Sequence, residues 1–283
     1  MAGGPPPNSL WALGECLRRG VVAVEIDVTP LADSDWLLSH DLDLGAFCTG
    51  RGAVSAITTA DSRAEYLVRD GAVTAEHPSL LSDALDLVER LPGPTLVQLD
   101  LKAPAALPPS ALPGLVSLIA PVRDRVLVSS PADWCLRELR RLAPWIRLGF
   151  DPQYYLDAHQ NHLPDGRTLA PPRLSRFGYF DDLVVRFAAE ADSGGESAYL
   201  ESRLLSLAER ASDAETWFVR GSLLLRAASA LDAVAWLHRR EISVAAWTLD
   251  PVGNAAIAAA RSLAALGVDY ITTNRAEDLA AVL

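Results

Sequence analysis

Short apolar, β-branched runs alternate along most of the chain with longer segments whose apolar residues recur every three or four positions. The runs are VVAVEIDV (21–28), TLVQLDL (95–101), RVLVSS (125–130), IRLGF (146–150), TWFVR (216–220), ISVAAWTL (242–249) and VDYITT (268–273). Their length and β-branched content predict buried strands. Between them NSLWALGECLRRG, LLSDALDLVERL, DWCLRELRRLA, ALDAVAWLHRR and AAIAAARSLAALG have the spacing of amphipathic helices. Strands and helices in alternation predict an α/β fold with parallel strands joined by right-handed crossovers. Seven core strands are counted where a closed (β/α)8 barrel needs eight, and the chain opens on a helix rather than a strand. The pattern fits an open sheet, or a TIM-type barrel whose first strand is missing from the chain as given.

Two stretches break the alternation. Residues 31–78 predict a β-hairpin whose second arm is WLLSH (36–40), then a turn-rich, partly helical excursion around TGRGAVSAITTADSRAEYL. Residues 151–215 form a long insertion, first rich in aromatics and prolines (DPQYYLDAHQNHLPDG), then in charged helix formers (SRLLSLAERASDAET), with SGGES at 193–197 as a flexible break. Insertions of this length in a compact domain are functional lids or locally flexible segments. At 283 residues the whole span 1–283 fits one barrel domain.

Composition narrows the function. A net charge of −11 without a Lys/Arg cluster disfavours nucleic acid and anionic membrane surfaces. A phosphate-ester substrate therefore needs a metal to supply local positive potential. Cys16, Cys48 and Cys135 are widely spaced and odd in number, which indicates neither a disulfide framework nor a zinc site. The first residues show no leader pattern, and no apolar run is long enough for stable membrane insertion, so the expected location is cytoplasmic.

The chemistry concentrates in VEIDV (24–28) and in His40 of LLSHD. Strand alternation puts Glu25 and Asp27 on one face, with Val24, Ile26 and Val28 on the other. Adjacent carboxylates repel unless a cation lies between them, which suits a hard divalent metal. A solvent-facing edge strand alternates in the same way, and the strand alone leaves both readings open.

Its surroundings resemble the glycerophosphodiester phosphodiesterase family, metal-dependent TIM-barrel enzymes. PPNSL (6–10), GVVAVEIDV (20–28), LLSHDLDL (37–44) and TGRG (49–52) are similar to the family's Pro-Glu-Asn-Thr, Glu-x-Asp-Val and His-Asp motifs and their turn. HPSLLSDALDLV, LVQLDLK (96–102), VLVSSP (126–131), APWIRLGF (143–150), VAAWTLD (244–250) and LGVDYITTNRAEDL (266–279) resemble the rest, in order.

The resemblance implies hydrolysis of a small-molecule phosphodiester to an alcohol and glycerol 3-phosphate. It implies one divalent cation, Mg2+ or Ca2+, held by Glu25, Asp27 and Asp100. Asp100 stands where the family has Glu, and it is also placed to pair with Lys102 on the same strand face. Lys102 is implied as the phosphate-side cation, His40 as general acid or base, and Trp247 as an apolar wall for the alcohol, with core packing the alternative for Trp247. His159, His162, Tyr154 and Tyr155 are expected in a lid, His77 at a helix start and His238 on a solvated helix face. The family's opening His-Arg-Gly has no counterpart here, so the alternative is a catalytically impaired protein that binds a metal or phosphate ester. An upstream start supplying a strand that ends in His-Arg-Gly is the expectation that accounts for both losses together.

Overall fold

Ser9 and Gly20 bracket the first helix as their chemistry dictates. The Ser9 hydroxyl accepts from Ala12 N at 3.1 Å, and Gly20, at φ 63, closes α1 (Leu10–Arg19) in the left-handed conformation that glycine adopts without strain. The computed structural model describes residues 6–102, 107–156 and 195–283. The chain divides into a first unit, Met1–Leu148, and a second, Gly149–Leu283.

In the first unit, β1 (Ala23–Pro30) folds back on β2 (Trp36–Leu38) as the predicted antiparallel hairpin, pairing Val28 with Leu38 and Pro30 with Trp36. The following excursion holds α2 (Thr59–Ser62) and the short ribbon of β3 (Val68–Arg69) and β4 (Ala72–Val73). It has its own apolar cluster of Leu31, Leu37, Leu44, Cys48, Val54 and Leu80, with Phe47 and Ile57 against it. The hairpin turn carries two acids with structural work. Asp33 accepts from Thr59 N at 2.8 Å, and Asp35 accepts from Ser82 N at 3.2 Å and Ser82 Oγ at 2.6 Å. These bonds fasten the turn to the starts of α2 and α3 (Leu81–Arg90).

After α3 the chain enters β5 (Leu96–Leu101), parallel to β1 on the side away from β2. Helix α4 (Ala111–Ile119) leads to β6 (Val126–Ser130), parallel to β5, and α5 (Asp133–Leu142) follows. Gly114 of α4 lies under the hairpin turn so closely that a Cβ there would come within 2.3 Å of the Ser34 carbonyl oxygen. One face of β1 and β5 is apolar and buried, with Ile26, Val28, Leu99 and Leu101 at 3% exposure or less. That burial turns the alternate residues, including all the strand acids, to the opposite face.

β7 (Arg147–Phe150) pairs in parallel with β8 (Thr216–Arg220), which pairs with β9 (Ser243–Trp247), which pairs with β10 (Tyr270–Ile271). All seven predicted core strands therefore form. The second unit also contains α6 (Gln153–Leu156), α7 (Gly195–Arg210), α8 (Gly221–Ala227), α9 (Ala233–His238), α10 (Asn254–Ala265) and α11 (Ala276–Ala280). Gly195–Ser197, expected within a break, instead begin α7. Phe150 packs edge-on against Trp217 at 5.2 Å between ring centres, at the middle of this unit's core. Past β9, Asp250 accepts from Thr273 Oγ1, Asn274 N and Asn274 Nδ2 at 2.8–3.0 Å, tying the ends of β9 and β10 together.

Candidate active site

Glu25 and Asp27 leave one face of β1, and Asp100 leaves the same face of β5 directly beside Asp27, because the parallel register pairs Glu25 with Gln98 and Asp27 with Asp100. One carboxylate oxygen from each of the three lies within 4.8 Å of the other two. Lys102, whose N–H donates to the Val28 carbonyl at 2.9 Å, continues along that face. Its ammonium stands 3.0 Å from Asp27 Oδ1 and pairs with Asp100 Oδ2. Asp100 thus lies among the acids and is also the partner of Lys102.

The electrostatics of the cluster follow from this crowding. Burial opposes the Lys102 ammonium, but the Asp100 and Asp27 charges and hydrogen bonds outweigh it and raise its pKa. Burial likewise pushes Asp27 up, yet the Lys102 charge and hydrogen bonds from Asn8 and Lys102 hold it below the usual carboxylate value. Glu25 goes the other way, since burial first and then the Asp27 and Asp100 charges push it well above the ordinary 4.5. Three carboxylates against one ammonium leave two negative charges uncompensated in a partly buried site. Protonating Glu25 relieves that surplus, and a divalent cation would relieve it in the proton's place. An all-oxygen donor set of this kind fits a hard divalent cation.

Asn8 joins the site without having been expected there. Its Nδ2 donates to Asp27 Oδ2 at 2.8 Å while its Oδ1 accepts from Asp27 N at 3.0 Å. Asn8 takes φ 50, a left-handed conformation that asparagine tolerates better than most residues. Its position in Pro6-Pro7-Asn8-Ser9, matching the asparagine of Pro-Glu-Asn-Thr, was the available signal. Asp27 is therefore held through both oxygens, by Lys102 and by Asn8. Gln98 and Ser129, also unexpected, line the same face beside Asp100.

His40 follows β2 at the rim of this face. Ser39 N donates to the Asp27 carbonyl at 3.1 Å, and Thr29 Oγ1 donates to the Ser39 carbonyl at 2.9 Å, so the backbone entering His40 is pinned to the acid-bearing strand. The imidazole itself is 66% exposed, with Nδ1 3.7 Å from Asp41. Trp247 ends β9 in the second unit, donates from Nε1 to the Phe218 carbonyl at 3.2 Å and lies under the Arg220 guanidinium, 4.9 Å from the ring centre.

The remaining histidines have structural partners or lie elsewhere. His77 Nδ1 meets the Glu65 carbonyl at 2.7 Å, and His238 Nε2 meets Asp269 at 2.9 Å. His159 and His162 fall outside the described residues. Tyr155 is buried against Phe150, a core position rather than a lid.

The parallel strands and the acid cluster on β1 and β5 define an α/β protein with a candidate divalent-metal site. No protein-family profile matches the chain. It is 29% identical over 204 residues to a protein of Mycobacterium tuberculosis named "Probable glycerophosphodiester phosphodiesterase 1", a match covering 65% of this chain and 74% of the relative. Among solved structures, a putative glycerophosphoryl diester phosphodiesterase from Silicibacter pomeroyi superposes with a TM-score of 0.67 at 20% identity, over 98% of this chain and 88% of that one. An Oleispira antarctica phosphodiesterase, solved with the product sn-glycerol-3-phosphate, superposes with a TM-score of 0.64 at 16% identity, over 99% and 92%. The resemblance carried by scattered motifs thus extends to a named relative and to the TIM-barrel fold. Among the described residues no helix is long and apolar enough to cross a membrane.

Proposed function

We propose that this chain is a glycerophosphodiester phosphodiesterase, hydrolysing glycerophosphodiesters to an alcohol and glycerol 3-phosphate. The observation that carries the reading is the convergence of Glu25, Asp27 and Asp100 with Lys102 on one strand face, in a chain similar to proteins named for that reaction.

A phosphodiester resists attack because its anionic oxygens repel nucleophiles and its alkoxide is a poor leaving group. Glu25, Asp27 and Asp100 would hold Mg2+ or Ca2+, which when bound supplies Lewis acidity toward a phosphoryl oxygen. Lys102, already aimed at this cluster, supplies a fixed positive charge where negative charge develops. His40, solvent-exposed beside Asp41, exchanges the proton on the alcohol or the attacking water as general acid or base. We further read 1–283 as one barrel domain, since the solved structures match along nearly the whole chain; the lid-like or partly flexible character expected for 151–215 falls mostly on residues 157–194, outside the described residues. The three free cysteines support a reducing, cytoplasmic location.

Asp100, one methylene shorter than the glutamate of the family that the chain resembles, favours a second reading, a protein that binds a metal or phosphate ester without turnover. A panel of glycerophosphodiesters assayed for glycerol 3-phosphate release with Mg2+, Ca2+ or chelator separates the two. Chelator-sensitive release, lost in Glu25→Ala and Asp27→Ala together with metal binding, supports the enzyme. Metal binding without release supports the second reading, and release indifferent to chelator overturns the site.

A further inference from the structure

We infer that Ser129, polarised by Gln98, is a positioning residue that orients Asp100 for the metal. The inference rests on the metal site proposed above and adds to it two residues to which the resemblance gave no role.

The observation is a directed chain of two hydrogen bonds running diagonally across the sheet. Gln98 stands beside Glu25 in the register of β1 and β5, and Ser129 of β6 stands beside Asp100. Gln98 Nε2 donates to Ser129 Oγ at 2.9 Å, and Ser129 Oγ lies 2.8 Å from Asp100 Oδ1. An amide nitrogen can only donate, so the first bond consumes a lone pair of the hydroxyl and leaves its single proton for an acceptor. The competing acceptor, the Leu99 carbonyl, is 3.5 Å away, and the carboxylate is both nearer and charged. The proton therefore goes to Asp100 Oδ1.

Ser129 is fully buried and Gln98 is 9% exposed, so water does not readily replace either partner. The consequence for Asp100 is orientation. With Oδ1 tied to Ser129 on one side, the carboxylate plane is set and Oδ2 turns toward Lys102 and Asp27. An aspartate is one methylene shorter than the glutamate of the family that the chain resembles, so it has less reach with which to correct a wrong rotation. Outer partners of this kind usually change metal affinity by about 10–100-fold when removed.

The test is metal binding rather than turnover. Mg2+ alone is titrated calorimetrically into the full chain and into Ser129→Ala. Tb3+ alone is then bound to each, and its inner-sphere waters are counted from luminescence decay in H2O and D2O. Loss of orientation predicts about tenfold weaker Mg2+ binding together with one additional water on Tb3+, as Asp100 falls away and solvent takes its place. Gln98→Met, close to isosteric and unable to donate, is expected to move both readouts in the same direction by less, and it stands in if Ser129→Ala does not fold. Unchanged affinity overturns the inference, as does weaker binding with an unchanged water count, which marks a merely structural role. If the unaltered chain binds neither ion, the metal reading itself falls and the inference with it.

Discussion

Lys102→Met should make the chain both less stable without metal and more avid for it. The ammonium is 21% exposed and the two aspartates it serves are 14% exposed, so solvent screens the group only partly. A single pair of this kind is worth about 4 kcal/mol at an effective dielectric near 20 and about 4 Å, and the desolvation of the ammonium offsets much of that. The larger consequence of deletion is that Asp27 and Asp100 stay buried beside Glu25 with no counter-charge. Breaking buried pairs in this way typically costs about 3–5 kcal/mol, and partial exposure puts this one at the lower end, about 3 kcal/mol. A divalent cation supplies the missing charge and no longer meets a competing ammonium, so its affinity should rise by about tenfold, or about 1.4 kcal/mol. Saturating cation would then return most of the lost stability, since a ligand at about 100 times its Kd contributes about 2.7 kcal/mol. Urea unfolding in chelator and in Mg2+, with calorimetric titration of Mg2+, measures all three quantities. Metal-free stability within about 0.5 kcal/mol of the unaltered chain, with unchanged Mg2+ affinity, would refute Lys102 as the internal counter-ion.

Three further outcomes are expected. Glu25 has a pKa in the folded chain well above 4.5 because burial and then the Asp27 and Asp100 charges disfavour its ionised form. The folded state thus binds its proton more tightly than the unfolded state, and metal-free stability should decline as pH rises past about 4.5 until the folded value is passed. Glu25→Gln, followed by urea midpoints across that range in chelator, should remove this slope. Asn8→Gly removes the two bonds to Asp27 but keeps the backbone at ease at φ 50. It should weaken Mg2+ binding by about tenfold and stability by about 1–2 kcal/mol, as read by calorimetry and urea unfolding. Gly114→Ala places a methyl 2.3 Å from the Ser34 carbonyl oxygen, whereas Gly93→Ala meets nothing within 4 Å. The first should lose about 1–3 kcal/mol and the second should unfold close to the unaltered chain.

The seven core strands were legible because each is a short β-branched run bounded by polar or turn residues, a pattern that survives without tertiary information. The hairpin was legible from WLLSH, and β2 forms within it at Trp36–Leu38. The excursion after it was not, beyond its general character. Its order comes from an apolar cluster assembled from six separated positions and from Asp33 and Asp35, whose carboxylates secure helix starts 26 and 47 residues away. Nothing in the local sequence of an aspartate distinguishes that work from solvation.

The site divides along the same line, and register is the quantity that the sequence alone withholds. Alternation places Glu25 with Asp27, and Asp100 with Lys102, on shared faces within one strand each. Whether those two faces coincide depends on how β5 sits against β1. The observed pairing of Asp27 with Asp100 brings the acids together. A slip of one residue would present Leu99 or Leu101 there and turn Asp100 toward the apolar side. Val97, Leu99 and Leu101 are fully buried, so that slip would also drive Gln98, Asp100 and Lys102 into the packed layer and expose three core residues. The apolar face therefore selects the register that assembles the polar one. Asn8, Gln98 and Ser129 become readable only once that register is known, since each acts on an acid carried by another segment. A metal site on these strands is thus specified as much by the leucines behind it as by the carboxylates that form it.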